Sequence, residues 1–210
     1  MRKLKTDPRF VFDRVNVKDL EALAELYARY ARGFRMAPQL TIEKLRHYLQ
    51  DQQLFSYDQY YVARDQQGTI QAVTALWDEH RYKQYALQAL SPPLHLLNGL
   101  LRVGRIFFPL PQPLRAHQAI RHASFILYAH NNCPEALEAL FCYVNNQQLG
   151  KDYQILTLYA QQRDPIFSLL KAHRGISVFS EMYVFAKDPE KLEAFKNADQ
   201  MDGLDVVLTV

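Results

Sequence analysis

The run His122-Ala-Ser-Phe-Ile-Leu-Tyr-Ala129, then His130-Asn-Asn-Cys133, then Pro134-Glu-Ala-Leu-Glu-Ala-Leu-Phe-Cys-Tyr-Val144, decides how this chain is read. A short, mostly apolar run with aromatic and β-branched residues reads as a buried strand. His130 to Cys133 is too short to be more than a loop. Pro134 suits the first turn of a helix, where its missing N–H costs nothing. Leu137, Leu140, Phe141 and Val144 then recur at spacings of three and four and form one inward face. Gly150 closes the helix. Tyr153 to Ala160 reads as the next strand. Two strands joined through a helix pair in parallel, because only a long crossover returns the chain in the same direction. A second such unit follows. Asp164-Pro165 is an N-cap and first-turn pair opening a helix that ends near Gly175, and Ile176 to Ala186 is the last long strand.

Working outward, Arg9 to Val15 alternates apolar and polar residues, as a half-buried strand does. From Val17 the period changes, with Leu20, Leu23, Ala24, Tyr27, Tyr30 and Ala31 on one helix stripe that ends near Gly33. Thr41 is placed to cap a second helix carrying Ile42, Leu45, Tyr48 and Leu49. Gln59 to Arg64, the turn Asp65-Gln-Gln-Gly68, and Thr69 to Trp77 form an antiparallel hairpin in which Gly68 supplies a positive φ. Lys83 to Leu90 reads as helical, Pro92-Pro93 interrupts it, and Pro93 to Val103 reads as another helix. Pro109, Pro111 and Pro113 enforce an extended path. Lys191 to Phe195 reads as a short helix, and Val206 to Val210 as an edge strand or a strand pairing with a second copy, which leaves a homodimer open. The resulting fold class is α/β (α+β). It has a mixed central sheet, helices on both faces, and a long apolar-basic insertion (about residues 80–121) between the third and fourth strands, all in one domain spanning 1–210.

The charge is unevenly distributed. The whole 210-residue chain is +3, yet no acidic residue occurs from His80 to Pro134. That stretch holds Arg81, Lys83, Arg102, Arg105, Arg115 and Arg121 and five of the seven histidines. Its middle, Leu94 to Leu110, is strongly apolar. A field of one sign on an apolar surface suits an anion with a greasy portion. Three readings stay open: a cradle for a phosphorylated ligand, a peripheral contact of 94–108 with anionic lipid, and surface charges paired with acids elsewhere. Nucleic acid is not expected, since no recognised binding motif is present and the net charge is modest. Cys133 and Cys142 match no metal-ligand spacing, so no metal and no disulfide are expected, and a reducing cytoplasm is the expected setting. No signal peptide is expected, and no uncharged apolar stretch is long enough to span a bilayer.

The element order resembles that of the GNAT superfamily of acyl-CoA N-acyltransferases over roughly Arg9 to Ala186. Three stretches carry the likeness: the hairpin Tyr61 to Trp77, the strand–loop–helix Ser124 to Val144, and Asp164-Pro-Ile-Phe-Ser-Leu-Leu-Lys-Ala-His-Arg-Gly175. Leu76-Trp77-Asp78, Asp164-Pro165 and Ser180-Glu-Met-Tyr183 further resemble a divergent bacterial branch. The likeness implies acetyl-CoA or another acyl-CoA as substrate and an amine acceptor of unspecified identity. Leu127, Tyr128, Ala129 and His130 would then lie beside the pantetheine arm, with Asn131, Asn132 and Asp164 also in the coenzyme site. The chain departs from the family at the phosphate loop, where Ala129-His-Asn-Asn-Cys-Pro134 holds no glycine.

Each residue also has an ordinary structural reading. His130 is either close to the pyrophosphate or a solvated loop histidine. Asn131 and Asn132 either donate to phosphate or cap the helix, the cap being the stronger expectation. Tyr159 either protonates a leaving thiolate or fills the end of the sheet. Glu79, with Asp78, either takes a proton from the amine or sits on the surface. Glu181 and Tyr183 share a strand face as substrate contacts or surface residues. Cys142 reads as a small core residue. The alternative to catalysis is a GNAT-like binding module with a degenerate phosphate loop.

Overall fold

The computed structural model describes residues 3–34, 40–50, 59–78, 80, 84–108, 110, 112–151, 153–160, 164–173 and 190. The expected strand over Ile176 to Ala186, with Glu181 and Tyr183, lies outside these residues. So do Glu79, the Lys191 to Phe195 helix and the Val206 to Val210 strand.

The chain opens with β1 (Val11–Arg14) and a single 3-10 turn at Val17–Asp19. Asn16 caps that turn, and Asp19 answers with a reciprocal bond to the Asn16 backbone. Asp19 is also paired with Arg64 at 2.8 Å, tying the start of the first helix to the sheet. Then follow α1 (Leu20–Ala31), α2 (Ile42–Gln50), and the hairpin of β2 (Tyr60–Arg64) and β3 (Ile70–Trp77). Gly68 turns the hairpin at φ 84°, as its position requires.

After β3 comes the insertion: β4 (Tyr85–Ala86), α3 (Pro92–Gly104) and β5 (Ala119–Ile120). The helix expected over Lys83 to Leu90 is corrected here. Tyr85 and Ala86 pair antiparallel with Ile120 and Ala119, and Leu87 bridges Ala116. The apolar spacing suggested a helix, but pairing across the insertion satisfies the same backbone groups. The chain closes its described part with β6 (His122–His130), α4 (Pro134–Gln148), β7 (Ile155–Leu158) and α5 (Pro165–Lys171).

The five main strands run in the order β1-β2-β3-β6-β7. All neighbours are antiparallel except β6 and β7, which are parallel as the crossover through α4 demands. Alternating residues face opposite layers. Tyr60, Val62, Val73, Ile126 and Ala129 pack with Leu23, Leu26, Leu45 and Leu49 of α1 and α2. Tyr61, Ala63, Ala72, Leu76, Ala123 and Phe125 pack with Leu137, Leu140 and Phe141 of α4 and Ile166 of α5. Each fully buried leucine contributes about 1.5–3 kcal/mol of transfer free energy, so both layers hold the sheet in place.

Candidate functional site

The site is built on β6, and its two halves differ. From His122 to Phe125 the strand pairs with Ile155 to Leu158 of β7, and Ser124 and Phe125 also pair with Trp77 and Leu76 of β3. Beyond Phe125 and Leu158 the pairing with β7 stops, while β6 continues to His130. The two parallel strands therefore part at that level, and β7 is shorter than the expected Tyr153 to Ala160.

At the same level β6 bulges. Ala75 pairs with Ile126, but the next partner pair is Val73 with Ala129, so Leu127 and Tyr128 together face Thr74. Leu127 has φ 48°, a left-handed conformation that is uncommon for a branched side chain. An extra residue of this kind bends the strand and re-aims its backbone groups. Two hydroxyls hold the distortion. Tyr27 of α1 donates to the Leu127 carbonyl. Thr74 donates to the Ile126 carbonyl at 3.2 Å.

Side chains then bridge what the ladder no longer joins. The Tyr128 hydroxyl donates to the Tyr159 carbonyl at 3.0 Å. Tyr159 itself follows β7 with its side chain 48% exposed. Tyr30, in the last turn of α1, is the hub of the cluster. Its ring lies edge-on to His130 at 5.0 Å and to Tyr128 at 6.2 Å, and its hydroxyl donates to Asp164 at 3.1 Å. Asp164 is buried and caps α5 by accepting from the Ile166 N–H at 3.0 Å, so both its oxygens are engaged within the protein. His130 is half-buried, and its Nδ1 is enclosed with no hydrogen-bond partner. Burial holds its pKa below the usual histidine value, against the opposing pull of Asp164 and Glu135.

The loop after β6 corrects one expectation. Neither Asn131 nor Asn132 caps α4. The N-cap is Cys133, and no side chain bonds the first turn. Pro134 occupies the first helical position, which moves the cap onto Cys133. Asn131 instead bonds Gln71, by its backbone N–H to the carbonyl at 2.9 Å and by its side chain at 3.4 Å. Asn132 is exposed and turns the chain at φ 50°. Asparagine tolerates this conformation better than most residues, so it supplies a turn for which glycine is the usual choice. The opening of α4 thus has no side-chain cap and keeps the positive end of its dipole, with the acidic Glu135 in the first turn as an opposing charge.

Other residues fall elsewhere. Arg121 precedes β6 at the end opposite His130 and is paired with Asp78 at 3.3 Å, so it does not supplement the loop. Its guanidinium lies 6.0 Å from the Tyr153 ring. Burial, followed by Asp78, pushes the Tyr153 hydroxyl up to about 12. Asp78 is thereby engaged in a salt bridge at the paired end of β6. Cys142 is buried in α4, 3.8 Å from His173, and burial raises its thiol to about 11, which fits a core residue. No group of His, Cys, Asp and Glu residues able to hold a metal occurs among the described residues. Periodicity assigned Tyr27 and Tyr30 only to a helix stripe. The available signal was a tyrosine on a buried face, whose hydroxyl needs a partner.

No protein-family model matches the chain, and neither does any curated protein sequence. Solved structures do match. One is the ribosomal-protein-alanine N-acetyltransferase of Brucella melitensis biovar Abortus, 16% identical with a TM-score of 0.50, the match covering 84% of this chain and 99% of that one. Another is a transcriptional regulator from Bacillus halodurans, 11% identical with a TM-score of 0.51 and the same coverage of both chains. With its mixed sheet flanked by helices on both faces, the chain has the fold of the GNAT superfamily.

Proposed function

We propose that the protein is an acyl-CoA-dependent N-acyltransferase acting at the parting of β6 and β7. The observation that carries this reading is the bulge at Leu127, at the level where pairing with β7 ends. Beyond that level β7 no longer pairs with Leu127, Tyr128 and Ala129, which keep β3 on their other side, and the β7-facing edge of this stretch is the path of an extended thioester arm. The opening of α4, reached through His130, Asn131 and Asn132, receives the phosphates, since an uncapped helix start favours an anion. Asp164 acts through Tyr30, fixing the ring beside His130 and Tyr128.

The amine attacks the thioester carbonyl directly. The new C–N bond forms as the C–S bond breaks, strand N–H groups hold the carbonyl oxygen, and the amine proton passes to water or a carboxylate. Glu79 is the candidate for that carboxylate. The leaving thiolate takes a proton from Tyr159, whose position beyond β7 puts it next to the parting. Acyl length and acceptor follow from groups this reading does not specify.

One observation favours a second reading, a non-catalytic binding module: the Tyr128 hydroxyl reaches across to the Tyr159 carbonyl. A bond that stays closed would narrow the path of the arm. Isothermal titration with coenzyme A, acetyl-CoA and longer acyl-CoAs, joined to an amine-acylation assay, separates the two. Binding with acyl transfer supports the transferase. Binding without transfer to any of a broad amine panel supports the module.

A further inference from the structure

The geometry points to α3 and the turn after it as a docking surface for an anionic lipid bilayer, lying on the membrane and not through it. The inference is independent of the acyltransferase reading. Leu96, Leu100 and Val103 follow one another at spacings of four and three, so they share one side of the helix, and Phe107 lies in the turn that follows it. With Ile106 and Phe108 they are 61–76% exposed. The inner side of α3 carries a buried polar residue between two half-buried leucines, Leu94 and Leu101. Asn98 is its buried residue, and its side chain clamps the Leu114 backbone by donating to the carbonyl at 2.6 Å and accepting from the N–H at 3.0 Å. Leu110 folds back onto Gly104, where an added Cβ would lie 2.6 Å from it. The helix is thus held to its own insertion by polar and close-packed contacts while its greasiest side faces outward. An ordinary surface helix does the reverse.

Charge selects the occupant. Arg102, Arg105 and Arg115 are exposed, and none has an ion pair among the described residues. Arg102 and Arg105 belong to α3 and its C-cap, and Arg115 adjoins the Asn98 clamp. No acidic residue lies anywhere from His80 to Pro134. An apolar helix side flanked by arginines fits the boundary of an anionic bilayer, with leucines and phenylalanines among the acyl chains and guanidinium groups at the headgroups. No described helix is long and apolar enough to cross a membrane, so the contact is interfacial.

The test is flotation of the full chain with vesicles of phosphatidylglycerol and phosphatidylcholine, beside vesicles of phosphatidylcholine alone. Binding to the anionic vesicles is expected, weakened by added salt. A Leu100→Glu/Phe107→Glu variant should lose it, and an Arg102→Glu/Arg105→Glu variant should bind about tenfold or more weakly. These side chains are exposed, so both variants should melt at the wild-type temperature, and that melt verifies the fold. Three results overturn the inference: no flotation of the wild type, equal binding to neutral vesicles, or flotation unaffected by either variant. So does a dimer by light scattering that the apolar variant dissociates while vesicle binding is absent, since a second copy would then be the occupant.

Discussion

The first half of β6, His122 to Phe125, and its second half, Ile126 to His130, are one strand in two conditions. In the first half β7 pairs with every residue, and Ser124 and Thr157 add a side-chain bond at 2.6 Å across the parallel pair. In the second half β3 still pairs with Ile126, Ala129 and His130, but β7 does not, and tyrosine hydroxyls bond across, from Tyr27 to Leu127 and from Tyr128 to Tyr159. A side-chain bond can be exchanged for a ligand without unzipping the sheet. The comparison teaches that opening one edge of β6 costs the fold little, because β3 continues along the strand after β7 has parted from it.

The largest expected effect lies in the first half. Phe125→Ala removes a buried ring that packs on Phe141 at 4.7 Å between centroids. It should destabilise the protein by about 3–5 kcal/mol in denaturant unfolding. Acyl-CoA affinity of the folded fraction should not change. A large loss of affinity at constant stability would break the distinction between the halves.

Next comes the bulge. Tyr27→Phe keeps the packing and leaves the Leu127 carbonyl without its hydroxyl donor. It should cost about 1–3 kcal/mol and also weaken acyl-CoA binding, because the bulge relaxes. Unfolding and titration of the same sample would separate the two effects, and an unchanged affinity would mean that the bulge does not shape the site.

A smaller effect is expected at the loop. Asn132→Ala should cost about 1 kcal/mol because alanine resists a positive φ, whereas Asn132→Gly should be tolerated. Equal melting temperatures for the alanine and glycine variants would contradict the left-handed turn.

The smallest is a pH effect at His130. Its folded pKa is lowered, so the unfolded chain takes up a proton first as pH falls below about 6.5. The stability associated with the neutral ring is present above that pH and is lost as pH drops through the folded value. His130→Gln should therefore flatten the fall of melting temperature between neutral pH and about pH 5. Equal slopes for both proteins would remove His130 from the account.

Much of this arrangement was legible in the chain, and the rest had physical reasons for being hidden. The Pro134 helix, the Gly68 hairpin and the parallel pairing of β6 with β7 follow from periodicity and turn chemistry acting locally. Asn132 carried a usable signal, since asparagine readily adopts the left-handed turn. The Leu127 bulge carried none, because leucine has no preference for positive φ. The bulge exists because Tyr27, one hundred residues earlier, and Thr74 hold the carbonyls around it. β4 and β5 are two residues each, too short to show a period, and the helix expected over Lys83 to Leu90 failed for that reason. Arg121 stands close to the loop in sequence, yet it pairs with Asp78, just beyond the end of β3.

The central claim is that β6 receives an acyl-CoA on the edge that β7 leaves beyond Phe125, and titration calorimetry of the full chain with coenzyme A and acyl-CoAs of increasing length tests it most directly. The account predicts saturable one-to-one binding, with Tyr27→Phe weakened by about tenfold and Phe125→Ala, below its melting temperature, unchanged. No detectable binding of any of these ligands to the folded protein would contradict it.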